Sequence, residues 1–328
     1  MTFHRNLFAV RLSYSLAIRL VASIIIYALL ISAATAQDKK KRAEQPQQDE
    51  PVQLRADLVV ANVTVSDTAG HYAHGLTMKD FTILEDGAAQ TIDSFSAEEA
   101  PFAAAILVDM SGSMGHKFGL VRGAAASFVE QIRENDQVAV YGFNNDVRQF
   151  QEFSDTRLIT DYIWDAEARD TTRLYDCVDE AVEALSKRPE KRRAILLISD
   201  GQDSSSRKSS FGSVMKKASA AGVMIYTVDL IDESLSRGNG TEAAFARRGR
   251  QELKDFADQT GGRYVHSPDG DKLEESFIDI VDELRNQYTL TYYSTNDKRD
   301  GKWRKLTVNV ARQGTTVRTR KGYFAPKS

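Results

Sequence analysis

The chain has 328 residues, with 43 Lys and Arg against 46 Asp and Glu, a near balance of −3. That length accommodates a full core and two domains, and with no Lys/Arg stripe interleaved with aromatics, nucleic acid is excluded as a partner. The single cysteine, Cys177, excludes an intrachain disulfide; on the apolar-rich stretch Leu174 to Leu185 it reads as a buried, inert thiol.

Residues 1–36 read as a signal peptide. Arg5, Arg11 and Arg19 are their only Lys or Arg, and Leu20 to Ala33 is apolar apart from Ser23, Tyr27 and Ser32. Ala34-Thr35-Ala36 is a small-x-small cleavage site before Gln37. The apolar run is short for a membrane span, so an uncleaved anchor is the alternative and no stable membrane insertion is expected after cleavage. Losing the three arginines takes the mature chain from −3 to −6. The protein is expected to be exported, periplasmic or extracellular. Residues 37–51 carry many charges, no aromatic and no β-branched residue, and read as a disordered linker. The basic cluster Lys39 to Arg42 could touch anionic lipid, but a solvated charge run is the commoner case.

In residues 52–98 the composition turns to β. Leu58 to Val65 is β-branched and partly alternating, and ends at the turn Asp67-Thr68-Ala69-Gly70. Phe81 to Gly87 is a second strand running into an Asp-Gly turn, and Thr91 to Phe95 a third. So few strands need partners from elsewhere. They recur at residues 288–326: Tyr288 to Tyr293 and Trp303 to Val310 alternate, and Gly314 turns into Thr315 to Arg320. One β-sandwich built from both ends of the chain follows, with a domain of residues 101–287 inserted between them; two separate small β units are the alternative.

Residues 101–287 alternate strand and helix. Strands are expected at Ala103–Asp109, Gln137–Phe143, Arg148–Gln151, Ala194–Ser199, Met224–Asp229 and Arg263–His266, and helices near 116–134, 155–166, 174–187, 209–221, 244–259 and 272–286. The fold class is α/β, a doubly wound, mostly parallel open sheet with right-handed crossovers. Gly261 is a C-cap, Asp271 to Glu274 reads as a capping box, and Ser234 to Glu242 is a polar loop. The last helix runs directly into Tyr288 and could carry a shift of the ligand loops into the sandwich.

In such a sheet ligands bind at the carboxyl ends of strands. Ala103 to Val108 ends at Asp109-Met110-Ser111-Gly112-Ser113, which offers three small, hard oxygen donors, with Gly112 letting the turn fold tightly. Such a loop is by itself often only a turn and helix cap. Ala194 to Ser199 ends likewise at Asp200-Gly201, and Asp170-Thr171-Thr172-Arg173-Leu174-Tyr175-Asp176 places a threonine before an amphipathic helix. Three loops can therefore converge on one cation.

These residues resemble the metal-ion-dependent adhesion site of von Willebrand factor type A domains: Asp-x-Ser-x-Ser, then Thr, then Asp. More narrowly, the chain is similar to secreted bacterial proteins, common in acidobacteria, in which such a domain is flanked by β segments; that likeness includes the closing Arg320-Lys321-Gly322-Tyr323-Phe324. The resemblance implies that Ser111, Ser113 and Thr172 bind a divalent cation directly, while Asp109 and Asp200 act mainly through coordinated waters. Mg²⁺ is expected, with Ca²⁺ or Mn²⁺ as alternatives. Asp170 and Thr171 stand where the family usually has glycines, which stiffens the loop, adds a charge and leaves Thr171 as a weaker candidate ligand. With few charges on the ion, an open position would take an Asp or Glu carboxylate of a protein partner. His116, Asn144, Asn145, Asp170 and Asp203 are the candidate rim.

Enzyme chemistry finds little support. No His-Glu-x-x-His, Gly-x-Ser-x-Gly, Walker or dinucleotide motif occurs, and His71 and His74 read as surface residues. Phosphoryl transfer on Asp109 would want a second acid two residues later, where Ser111 stands. The expectation is a non-enzymatic binding protein; the alternatives are an envelope scaffold braced by its metal and a metal-dependent hydrolase.

Overall fold

The computed structural model describes residues 58–97, 99–156, 171–267 and 272–327. The signal peptide, the linker, nearly all of the helix expected at 155–166, Asp170 and Asp271 lie outside the described residues, as do the side chains of His116 and Arg122.

The central sheet is built on β5 (Phe102–Asp109), whose eight residues are all buried. It lies parallel between β6 (Gln137–Phe143) and β8 (Arg192–Ser199). Beyond β8 come β9 (Val223–Asp229) and β10 (Tyr264–His266), both parallel, and beyond β6 the antiparallel edge strand β7 (Val147–Ser154), giving the order β10-β9-β8-β5-β6-β7. The chain winds one way from β5 to β7 and the other way from β8 to β10. The loops leaving β5 and β8 therefore flank the crevice where the winding reverses.

Two-residue periodicity divides the sheet into two cores. Ala104, Ile106 and Val108 face Val121, Phe128 and Phe277, on α1 (Phe118–Glu130) and α6 (Leu273–Asn286). Ala103, Ala105 and Leu107 face α2 (Leu174–Ser186), α3 (Phe211–Ala221) and α5 (Thr241–Thr260). Cys177 is fully buried in this second core, and burial pushes its thiol well above the usual range. Gly261 ends α5 in the left-handed conformation. Three details depart from expectation. A 3₁₀ turn, Gly112–Lys117, precedes α1 where a continuous helix from 116 was expected. The polar stretch after β9 holds a short helix, α4 (Glu233–Arg237), because the Asp232 carboxylate accepts from Ser234 N and caps it. Lys272, without a side-chain cap, opens α6.

Two four-stranded antiparallel sheets flank this domain. One has the order β13-β1-β11-β4, from Thr315–Arg318, Leu58–Asp67, Tyr288–Tyr293 and Ile92–Ser96. The other has β14-β12-β2-β3, from Gly322–Phe324, Trp303–Val310, Phe81–Glu85 and Ala88–Gln90. Both combine strands from either end of the chain, and Val59, Ala61, Val63, Ile83, Leu290 and Val308 share their core.

Where α6 enters β11, the contacts are polar. Arg192 is 0 % exposed, and its Nη1 donates to the carbonyls of Leu284 (3.2 Å) and Arg285 (2.6 Å), its Nη2 to that of Gln287 (2.5 Å). It thus closes the open carbonyls at the end of α6. Glu283, fully buried, accepts from Thr64 Oγ1 (3.1 Å) and Tyr226 Oη (2.8 Å) and pairs with Arg318. Arg285 reaches Asp136 at 2.8 Å. Arg192→Met is expected to strip these carbonyls of their donor and to destabilise the protein by about 3 kcal/mol or more, since each unsatisfied buried group costs roughly 1–3 kcal/mol. Urea denaturation measures this, and a loss under 1 kcal/mol would mean that water replaces the guanidinium.

Candidate functional site

β5 and β8 are paired in register, with Val108 opposite Ile198, so the chain leaves the sheet at adjacent points. Asp109, the last residue of β5, is 0 % exposed. Its Oδ1 accepts from Ser111 N at 2.9 Å and its Oδ2 from Ser199 Oγ at 2.6 Å. Ser111, extended at φ −70°, opens the 3₁₀ turn, and its Oγ lies 3.0 Å from Ser113 Oγ. Ser113 Oγ donates to Asp200 Oδ2 at 2.8 Å. Asp200 Oδ1 accepts from Gln202 N at 3.0 Å, and Ser199 Oγ accepts from Gly201 N at 2.9 Å. Asp109, Ser111, Ser113 and Asp200 thus form one hydrogen-bonded chain, closed behind by Ser199.

The loop after β8 needs its glycine. Gly201 has φ +73°, and a Cβ there would sit 2.3 Å from the Gly249 carbonyl oxygen; a Cβ on Gly249 would in turn sit 2.5 Å from that of Asp200. Two glycines let α5 press directly on the Asp200 loop.

Thr172 is buried, and Thr171 beside it is exposed. Thr172 N donates to Ser204 Oγ at 2.9 Å, and its carbonyl accepts from Ser204 N (3.0 Å) and Ser205 N (2.9 Å). Thr172 is therefore laid along the loop that follows Asp200. Its own Oγ1 has no hydrogen-bond partner among the described residues. The Asp176 carboxylate, one turn into α2, fastens the far end of that loop by accepting from the amides of Arg207, Lys208 and Ser209, each at 3.0 Å.

Of the rim candidates, Asn144 is half-buried, and its carbonyl accepts from Arg173 N at 2.9 Å, joining the β6 loop to the threonine loop. Asn145 is exposed. The Asp203 carboxylate ties its loop to the start of α2, taking Tyr175 N at 3.3 Å, and also accepts from Ser206 Oγ at 2.5 Å within the loop. Asp170 and the side chain of His116 lie outside the described residues. Sequence alone assigned no role to Ser199 or Asp176 and read Ser204 as part of a solvated loop that could shape the rim; Ser199 carried a signal, as a hydroxyl at a strand end beside Asp200.

Among the described residues no three His, Cys, Asp or Glu side chains gather as a metal group; the site holds two carboxylates, and its other donors are hydroxyls. Burial pushes Asp109 up to about 7, with the charge of Asp200 adding to the effect. Burial raises Asp200 as well, against the amide of Gln202 and the hydroxyl of Ser113, which favour its anion. Lys117 lowers Asp200 from a distance while its ammonium donates to the Leu230 carbonyl. Two half-suppressed anions among small hydroxyls are a donor set that a hard cation would satisfy.

This pair makes the cation-free protein sensitive to pH. Asp109 titrates near the ordinary carboxylate value of about 3.9 when unfolded and at about 7 when folded. Between those values the folded state binds more protons, so this contribution to stability falls as pH rises. In chelator, the Tm at pH 5 minus that at pH 8 should be larger for the native chain than for Asp200→Asn. The gap should be a few degrees, at about 2–4 °C per kcal/mol for a domain of this size. Equal differences in the two proteins would mean that the carboxylates do not repel.

The family model for the von Willebrand factor type A domain matches residues 105–279. No curated protein is significantly similar to the chain in sequence. Among solved structures, the chain is similar to a von Willebrand factor type A protein from Catenulispora acidiphila (11 % identity, covering 83 % of this chain and 75 % of that one, TM-score 0.45). It is also similar to the ArnB paralog VWA2 from Sulfolobus acidocaldarius (14 % identity, 82 % and 76 %, TM-score 0.42). A third is proximal thread matrix protein 1 from the mussel byssus (17 % identity, 61 % and 51 %, TM-score 0.46). With a parallel sheet whose switch-point loops carry Asp109, Ser111, Ser113 and Asp200, and a family model that spans this sheet, the chain belongs to the von Willebrand factor type A domain family.

Proposed function

We propose that the protein is an exported, non-enzymatic binding protein that captures a protein partner through a divalent cation. Domains of this family are typically protein-binding modules and usually non-catalytic. The observation that carries the reading is the hydrogen-bonded chain Asp109–Ser111–Ser113–Asp200 at the carboxyl edge of the sheet. Ser111, Ser113 and Thr172 would hold the cation, with Mg²⁺ favoured over Ca²⁺ or Mn²⁺ because the donors are few and weakly charged. Asp109 and Asp200 would act from behind, through coordinated waters. The bound cation would supply an electrophilic point for a carboxylate of the partner. Ser199 fixes Asp109, and Ser204 fixes Thr172, so the chain's own residues orient the donors before a ligand arrives.

Export rests on the charge and apolar pattern of residues 1–36, and kinship with secreted bacterial proteins of this type on the paired β flanks. No helix of the described residues is long and apolar enough to cross a membrane.

Calorimetric titration of Mg²⁺, Ca²⁺ and Mn²⁺ into the metal-stripped mature chain tests the reading. One site is expected, lost in Asp109→Ala and in Ser111→Ala with circular dichroism unchanged, and weakened about 10-fold or more in Thr172→Ala. An aspartate-bearing peptide should then bind the Mg²⁺-loaded chain and not the stripped one. Cation binding that raises Tm without any cation-dependent peptide binding would favour a bracing metal, a reading that the burial of both acids also supports.

A further inference from the structure

At the opposite, amino-terminal edge of the parallel sheet, a groove of about 640 Å³ runs between α3 and the sandwich strands β1 and β14. Its lining includes Arg193, Lys216, Arg320 and Lys327 and, among the described residues, not one acid, although the chain as a whole carries −3. Among the described residues no ion pair joins Lys216, Arg320 or Lys327 to a carboxylate, whereas the charge of Glu190 acts on Arg193. The two arginines are held by carbonyls: Arg193 Nη1 donates to Ala221 O at 3.3 Å and Arg320 Nη1 to Ser219 O at 2.8 Å, both in the last turn of α3. The Ser219 carbonyl positions the Arg320 guanidinium without neutralising it. Arg320 is 8 % exposed, its Nε is buried with no hydrogen-bond partner, and burial lowers its pKa. Lys216 lies over the Phe324 ring, 5.5 Å from its centre.

The same groove borders an open strand edge. β1 pairs with β11 over Leu58–Val63, but with β13 only from Thr64 onward. In an antiparallel ladder, main-chain groups of alternate residues point to opposite edges. Thr64 pairs across to β13 and the Asn62 carbonyl accepts from Thr319 Oγ1 at 2.8 Å, so the even-numbered residues face that side. The main-chain groups of Leu58 and Val60 thus face the groove, where no strand covers them among the described residues.

We propose that this groove takes an extended acidic polypeptide segment of a partner protein, which adds a strand to the open edge of β1 and sets its carboxylates against Arg320, Lys216 and Lys327. Main-chain pairing would supply affinity, and the unneutralised cations the selection for acid. The site does not depend on a cation at Asp109.

Fluorescence anisotropy with the mature chain and a labelled peptide alternating Val with Glu tests this. Saturable binding is expected in chelator, weakened about tenfold or more by Lys216→Glu combined with Lys327→Glu, two surface changes whose folding circular dichroism can verify. A peptide of equal charge with proline in place of valine cannot pair its main chain and should bind about tenfold less tightly. Equal binding of the two peptides, or binding indifferent to the charge reversals, would overturn the proposal. So would no saturable binding at all. A dimer in sedimentation velocity that the charge reversals dissolve would give the groove to a second copy and overturn it as well.

Discussion

Two carboxylates at the ends of adjacent parallel strands are the constraint on which the carboxyl edge of the sheet depends. β5 and β8 are in register, so Asp109 and Asp200 leave the sheet side by side and both are buried. A rise of Asp109 to about 7 amounts to a few kcal/mol against its ionised form, at about 1.4 kcal/mol per unit. The direct contacts that meet that cost are neutral donors, the hydroxyls of Ser199 and Ser113 and the amides of Ser111 and Gln202, while Lys117 acts on Asp200 from a distance. Neutral hydrogen bonds partly restore the solvation lost on burial but supply no positive charge. Asp109 and Asp200 are consequently hydrogen-bonded while burial still disfavours their anions.

The other end of the sheet meets a different demand. The helix that closes the inserted domain must return the chain to the sandwich, and its last carbonyls are left open by helix geometry. Arg192 supplies donors to these carbonyls, while Glu283 and Arg285 are tied to Tyr226, Thr64, Arg318 and Asp136. Sliding α6 along its axis would break these contacts together. A shift carried by α6 into Tyr288, the expectation from sequence, would have to break these contacts and replace them with others.

What the sequence disclosed follows from what is local. The apolar runs at Ala103–Val108 and Ala194–Ile198 could only be buried strands, and the helical spacing of Leu273, Phe277, Ile280 and Leu284 could only face a core. The shortage of strands at each end of the chain forced the ends together, although which strand pairs with which was not legible. That Asp109, Ser111, Ser113 and Asp200 leave the sheet at one edge was legible because each sits at the boundary of a recognisable element. Their supports were not. Ser204 acts on Thr172, Asp176 on three amides of a distant loop, and Arg192 on a helix end more than ninety residues away; such partners exist only once the fold has formed. The 3₁₀ turn at Gly112–Lys117 escaped because its two glycines carry no helical preference of their own, and α4 because a single aspartate cap decides it.

The acid pair and the basic groove lie at opposite ends of the same strands. β8 has eight residues, which at about 3.3 Å each separates its two ends by about 25 Å. The screening length at physiological ionic strength is about 8 Å, so charges at one end are hidden from the other through solvent, and the apolar interior between them holds no chain of ionisable groups along β5. A cation at Asp109 and an acidic segment at Arg320 would thus bind independently as far as charge is concerned. Any coupling would have to pass through packing, by way of α3 and α5, which both cover the face of β8 that bears Ile195 and Leu197. On the two proposals made above, a metal at one end of the sheet and guanidinium and ammonium groups at the other would each attract a carboxylate, and a single partner chain rich in acids would engage both only if it could span the length of the sheet.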